Sequence, residues 1–240
     1  MSSYFSIQWH ITDDCDQRCK HCYIFSEGHP CITTMAWEEM LRTYAQIQAL
    51  CRSLGRIPYI YLTGGDPVLH PAFWDLLALF KADGTRFCVM GNPFHLTESV
   101  CARMKDCGCV KYQLSLDGLE KTHDSFRKPG SFRATVEAIR TIKRSGMWCA
   151  VMSTVSKTNM NEIPALIGLA DALGSTSMLS GGTALLRRRK HMIRICTFRL
   201  LNTGNFWNAA GKHTGGTGTA RRLFNSRIIY GRSFFMKKGC

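Results

Sequence analysis

Apolar positions along the first 174 residues switch between two periods. Runs rich in β-branched and aromatic residues, bounded by Gly, Asp and Asn, predict strands over 4–12, 57–63, 85–90, 109–117 and 147–155. Between them the spacing turns helical. Met35, Met40, Leu41, Ile47, Leu50 and Leu54 share a stripe that predicts a helix over 34–54. Similar stripes predict helices over 71–81, 97–105, 131–145 and 161–173. His70-Pro71 sets up the second helix, Ser131 is a candidate cap, and Asn161 with Pro164 marks another helix start. Five strand-then-helix units predict parallel strands joined by crossover helices, an α/β fold of barrel or open-sheet type.

Residues with chemical potential cluster where predicted strands end. The run Cys15-Asp-Gln-Arg-Cys19-Lys-His-Cys22 follows the first strand. The turn Gly64-Gly65-Asp66-Pro67 follows the second, and Ser115 and Asp117 close the fourth. Parallel strands put their C-terminal ends on one rim, where α/β barrels build sites. Three thiolates on one loop can hold three irons of a four-iron cluster and leave the fourth iron open. The same cysteines, with His10 or His21 as a fourth ligand, would also suit a structural zinc.

Length and composition narrow the classes. With 240 residues and 45% hydrophobic content, the chain can bury one large core. No apolar run is long enough to span a membrane, and the first residues lack a secretory pattern, so a cytoplasmic location is expected. In that compartment the 12 cysteines read as reduced thiols. Cys101, Cys107 and Cys109 fit no metal spacing and are expected as free buried thiols, and Cys31, Cys51, Cys88 and Cys149 as core or surface thiols.

The cysteine run, the Gly64–Pro67 turn and the segment Ser115-Leu-Asp-Gly-Leu-Glu-Lys-Thr-His-Asp-Ser-Phe-Arg127, in that order, resemble the radical S-adenosylmethionine (SAM) superfamily. Within it, the chain resembles peptide-modifying maturases that carry a C-terminal SPASM or twitch extension. The resemblance covers about residues 4–174 and implies a partial (β/α)6 barrel with about five recognisable units. It implies a [4Fe-4S] cluster on Cys15, Cys19 and Cys22, with SAM chelating the fourth iron. It implies reductive SAM cleavage to a 5′-deoxyadenosyl radical that abstracts hydrogen from a peptide or protein, fed by a donor such as flavodoxin or ferredoxin. By the same resemblance Gly64, Gly65 and Asp66 would face the methionyl amino group. The family usually has Glu where this chain has Asp66. His21, at a position usually aromatic, would pack against adenine. Ser115 would contact ribose or carboxylate, and Arg127 would pair with the SAM carboxylate. Each also has a plain structural reading: a tight turn, a spacer histidine, a strand end, a solvated arginine.

Charge breaks the chain in two. All 17 Asp and Glu lie before residue 175, whereas residues 175–240 carry 13 of the 31 Lys and Arg. The net charge of +14 is therefore almost wholly a property of the tail. Reading the tail from the third base of each codon forces Asp at Met192-Ile193 and Glu at Trp207-Asn208 and Met236-Lys237. One allowed codon choice yields SPTEYREFLECCWQTYR, which has a proper helix start with Ser cap and early Pro and Glu. The expectation is a radical SAM core over 1–174. Residues 175–240 would be an aberrant basic tail, frameshifted and without a selected fold, in place of a sixth strand and the SPASM or twitch extension. A genuine basic Gly/Thr-rich tail is the alternative. The triplet Arg187-Arg188-Arg189 leaves a basic nucleic-acid-binding protein as a rival class, and zinc a second; nucleic acid and membrane are not expected partners.

Overall fold

The computed structural model describes residues 4–25, 32–181 and 196–198, with only the backbone for 177–181 and 196–198. They all fall within one compact unit, Met1–Arg199. Six parallel strands, β1 (Tyr4–Thr12), β2 (Ile57–Gly64), β3 (Arg86–Met90), β4 (Cys109–Ser115), β5 (Trp148–Val155) and β6 (Thr176–Gly181), lie in chain order. A short β7 (Cys196–Phe198) adds antiparallel to β6. The crossovers are α1 (Trp37–Ser53), α2 (Phe73–Ala82), α3 (Glu98–Asp106), α4 (Glu120–Phe126) with α5 (Ser131–Arg144), and α6 (Ile163–Ala172). Sequential order with repeated crossovers of one hand winds the sheet in a single sense, as in a partial barrel.

Register explains the core. Trp9 pairs with Leu62, Leu62 with Val89, and Val89 with Tyr112, so these side chains share one face of the sheet. All are buried, together with Phe73 and Phe80 of α2. Phe80 sits among Tyr44, Phe87 and Trp9, with ring centroids 5.1, 5.3 and 6.4 Å away. On the other face, Lys111 lies over the Tyr61 ring at 4.8 Å and Trp148 is 72% exposed. Cys88, Cys101, Cys109 and Cys149 are buried core thiols, as the sequence suggested. Burial pushes Cys88 and Cys149 up to about 12 and Cys101 to about 11, which leaves them inert at neutral pH.

Three details depart from the sequence expectations. A sixth strand forms at Thr176–Gly181, paired in parallel with β5 from Ala150↔Thr176 to Val155↔Gly181, where the sequence shows no strand periodicity. An extra helix, α4, occupies Glu120–Phe126. Ser131 does not cap α5. Its cap position is Gly130, and the Asp124 carboxylate instead accepts from Gly130 N at 2.7 Å and Phe132 N at 2.8 Å. The expectations for residues 182–195 and 199–240 lie outside the described residues. His70 does organise the start of α2: its ring holds Met35 O at 2.9 Å and accepts from Ala72 N at 3.0 Å.

The rim is clasped by backbone. Gly65 N donates to Thr12 O and Asp66 N to Asp14 O, each at 2.7 Å. At Gly64, φ is +149°, and a Cβ there would collide with the Thr12 carbonyl; one on Gly65 would strike the Asp13 and Asp14 carbonyls. Gly65→Ala is therefore expected to lower stability by more than about 1 kcal/mol. Gly168→Ala, in an open position of helix α6, should raise it by about 0.5–1 kcal/mol. Urea-melt midpoints of the two variants would show the opposite signs.

Candidate functional site

Four loops meet at the C-terminal ends of β1 to β4. The first carries Cys15, Cys19 and Cys22, all half-buried free thiols. It is short of regular structure, so its conformation is set by neighbours. Lys20 N donates to Phe126 O at 2.8 Å, and Lys128 Nζ donates to Asp16 O at 3.0 Å while lying over the Phe94 ring at 3.7 Å. Within the loop, Cys22 N donates to Cys19 O at 3.0 Å.

The thiols carry electrostatic neighbours of both signs. Burial pushes Cys15 and Cys19 up, while the Arg127 guanidinium pulls Cys19 back. Among the described residues, the group whose ligand atoms all close within 4.8 Å is Asp16, Asp66 and His95; the three thiols do not all close within that distance. A single zinc would draw sulfurs to roughly 3.8 Å from one another. His10 and His21, the candidate fourth ligands, are turned to carboxylates: His10 Nε2 lies 2.7 Å from Asp13 Oδ1 and His21 Nε2 lies 3.6 Å from Asp117 Oδ2. The donor set therefore suits a polynuclear cluster with spread sulfurs better than one ion. Asp16 in the tighter group is already matched by His95 at 3.2 Å, Lys128 at 3.9 Å and Asn92 at 2.9 Å.

The second loop places Asp66. Its carboxylate is fully buried; Oδ1 accepts from Val68 N at 3.3 Å, and Oδ2 has no hydrogen-bond partner among the described residues. Burial pushes this carboxyl up to about 7. A buried oxygen with nothing to accept from is costly and is a natural receptor for a cationic donor. Sequence reasoning expected the two glycines to admit a ligand. The structure assigns the close approach to the cysteine loop's own backbone, whose carbonyls occupy the space a side chain would need.

The fourth loop closes the other side. Burial alone would raise the Asp117 carboxyl, but the Arg127 guanidinium and the Thr154 N–H at 2.9 Å hold it below the usual carboxylate value. Arg127 donates to Asp117 Oδ2 from Nε at 2.8 Å and lies 2.7 Å from it through Nη2. Its Nη1 reaches Gln17 Oε1 and Cys19 Sγ, both at 3.4 Å. Arg127 is thus neither solvated nor free; it is locked on Asp117 and turned to the cysteine loop. His21 meets Phe126 edge-on at 5.7 Å, and burial pushes its imidazole down, which favours a neutral ring at pH 7. Ser115 is half-buried at the end of β4, paired with Met152.

Sequence reasoning missed Gln17, Asn92 and His123. His123 Nδ1 accepts from Asp117 N at 3.0 Å, which leaves the proton on Nε2 to donate to Ser131 Oγ at 3.1 Å. Burial pushes His123 down to about 4, so it stays neutral in this relay. Gln17 Nε2 donates to the same Ser131 Oγ at 3.1 Å. Asn92 follows β3, and the rule that flagged the ends of β1, β2 and β4 would have found it too.

The Asp66 carboxyl gives a pH prediction. Its folded value near 7 lies above the ordinary 3.8, so the native state binds the extra proton between them. Its contribution to stability is full below about pH 4 and is lost as pH rises through about 7. Asp66→Asn should remove that decline, matching wild type near pH 4 and exceeding it at pH 8 in denaturant midpoints measured across pH.

Comparison with known proteins identifies the family. The Radical SAM superfamily profile matches residues 9–170. The chain is 27% identical over 173 residues to an AdoMet-dependent heme synthase of Methanosarcina barkeri, covering 71% of this chain and 48% of that protein. It is 26% identical over 174 residues to the mycofactocin maturase MftC of Mycobacterium ulcerans, covering 71% and 45%. The chain spans about half the length of these relatives. Crystal structures of Streptococcus suis SuiB share the fold at TM-score 0.60 and 14% identity. One, bound to the precursor peptide SuiA, covers 72% of this chain and 38% of SuiB; the other, bound to S-adenosylmethionine, covers 78% and 43%. No helix among the described residues is long and apolar enough to cross a membrane. The chain belongs to the radical SAM superfamily of enzymes, whose cofactors are a [4Fe-4S] cluster and S-adenosylmethionine.

Proposed function

We propose that residues 4–174 form the cofactor-binding core of a peptide-modifying radical SAM enzyme. The observation that carries this is a loop of three half-buried thiols that do not all close on one point, beside a buried carboxylate oxygen with no hydrogen-bond partner among the described residues. Cys15, Cys19 and Cys22 are the proposed cluster ligands, and the cluster with SAM supplies the one-electron cleavage chemistry.

The chain's own residues supply binding and order. Asp66 Oδ2 takes the ammonium of SAM, a charge-assisted bond that satisfies the orphaned acceptor. His21, neutral and edge-on to Phe126, offers a flat face to adenine, and Ser115 contributes a hydroxyl at the rim. Arg127, held by Asp117, keeps a fixed positive charge beside Cys19 and toward the SAM carboxylate, without having to be ordered when the ligand arrives. Ser131 braces the loop from behind by accepting from Gln17.

A peptide or protein substrate is supported by MftC and by SuiB with its precursor peptide. A flavodoxin- or ferredoxin-type donor and a cytoplasmic location complete the reading. Residues 175–240 are read as a frameshifted translation of what was an extension domain. Sequencing the gene across Gly174 tests that: an insertion or deletion restoring acidic residues is expected, and an intact frame in related strains would refute it.

The core reading is tested by anaerobic reconstitution with iron and sulfide. Brown protein with broad absorbance near about 400 nm is expected, with dithionite-dependent release of 5′-deoxyadenosine from SAM. Cys19→Ala should lose both. Colourless protein with one tightly held zinc would overturn the assignment. Turnover of a tetrapyrrole but of no peptide would retain the core and replace the substrate class with that of the heme synthases.

A further inference from the structure

The loop after β3 contributes a contact that none of the preceding roles uses. Asn92 Nδ2 donates to Cys15 Sγ at 3.1 Å and to Asp16 Oδ1 at 2.9 Å, so both amide hydrogens are committed. The rest of the residue is fixed as firmly. Its carbonyl accepts from Tyr112 Oη at 3.1 Å, and Tyr112 is completely buried. The preceding Gly91 leaves no room to shift, since a Cβ there would collide with Tyr112 Oη and fall 2.7 Å from Asp66 Oδ1. Asn92 itself is 8% exposed.

We propose that Asn92 is a positioning residue that sets the reduction potential of the cluster through its N–H···S bond to Cys15, an inference that rests on the cluster reading above. An amide hydrogen on a ligand sulfur withdraws electron density and favours the reduced, more negative cluster, so hydrogen bonds to sulfur raise the potential. Asn92 is suited to this task because it is neutral, donor-bearing and unable to rotate away. It acts on Cys15 from the β3 side, while Arg127 reaches Cys19 from the β4 side. Two of the three proposed ligands therefore carry a side-chain donor from opposite walls of the site. The Asn92 contact is the shorter, and it belongs to a residue with no ion-pair partner of its own to satisfy.

The test is an equilibrium redox titration of the reconstituted full chain, followed by electron paramagnetic resonance. Asn92→Ala should retain its iron and sulfide but shift the midpoint negative, with about tenfold less reduced cluster at a fixed potential, or 59 mV for one electron. The same shift should appear in an Asp16→Asn background, which removes the carboxylate that the lost amide would otherwise release. A normal iron content with an unmoved midpoint in both backgrounds would overturn the proposal. If Asn92→Ala fails to load iron, wild-type protein labelled with 15N-asparagine decides by electron–nuclear double resonance. A 15N coupling to the reduced cluster supports the bond, and its absence overturns it. Wild-type protein that takes up no iron and sulfide at all would sink the cluster reading itself, and is recognised before any variant is made.

Discussion

The ion pair between Arg127 and Asp117 is the constraint on which the site's geometry hangs. Both side chains are nearly removed from water, at 10% and 2% exposure, so neither charge is tolerable alone. Satisfying them recruits four segments. Asp117 stands just past β4, Thr154 N comes from β5, Arg127 ends α4, and Nη1 of Arg127 reaches Gln17 and Cys19 in the cysteine loop. Removing one partner leaves a buried unpaired charge, a loss on the order of 3–5 kcal/mol. The pair is therefore poor as a source of stability relative to apolar packing, yet effective at permitting one arrangement only. Asn159 adds to this from outside the site by donating to the carbonyls of Asp117 and Thr154.

The strands and most helices were legible because each buries a face with a clean period. β1 was expected at 4–12 and spans Tyr4–Thr12, while the first helix, expected at 34–54, spans Trp37–Ser53. The shortfall at 34–36 has a local cause: Thr34 is used in a bridge to Thr12, and Met35 N donates to Ile11 O, so the chain is still extended there. α4 was not legible. Its sequence, Glu-Lys-Thr-His-Asp-Ser-Phe, has no apolar stripe, and it exists to deliver polar groups: His123 to Asp117 N and Ser131, Asp124 to the start of α5, Arg127 to Asp117. Periodicity detects helices that bury carbon and is silent about those that bury hydrogen bonds.

Site residues divide along the same line. The cysteine spacing and the Gly64–Pro67 turn announce themselves locally, because their chemistry is local. Asn92 and Gln17 do not, because their significance lies in partners 77 and 114 residues away in the chain. Arg127 was singled out correctly as a residue of the site, but its partner was expected to be a ligand; only the fold reveals that Asp117 already occupies the fork. β6 is a further case. Thr176-Ser-Met-Leu-Ser-Gly carries no alternation, yet the exposed edge of β5 offers a row of unpaired backbone groups, and pairing there needs only backbone from the incoming segment.

The cysteine loop is held from within, by Gln17 N on Cys15 Sγ, Arg18 on the carbonyls of Cys15 and Gln17, and Cys22 N on Cys19 O, and from two walls. On the β2 and β3 side, Gly65 and Asp66 bind its backbone and Asn92 binds Cys15. On the β4 side, Phe126 O accepts from Lys20 N and Arg127 meets Cys19. The first wall is made of strand ends of one parallel sheet, and the second is the C-terminal end of α4, which Arg127 ties to Asp117 just past β4. The loop's placement therefore depends on β1 to β4 holding their register and on the Arg127–Asp117 pair holding α4 against the rim.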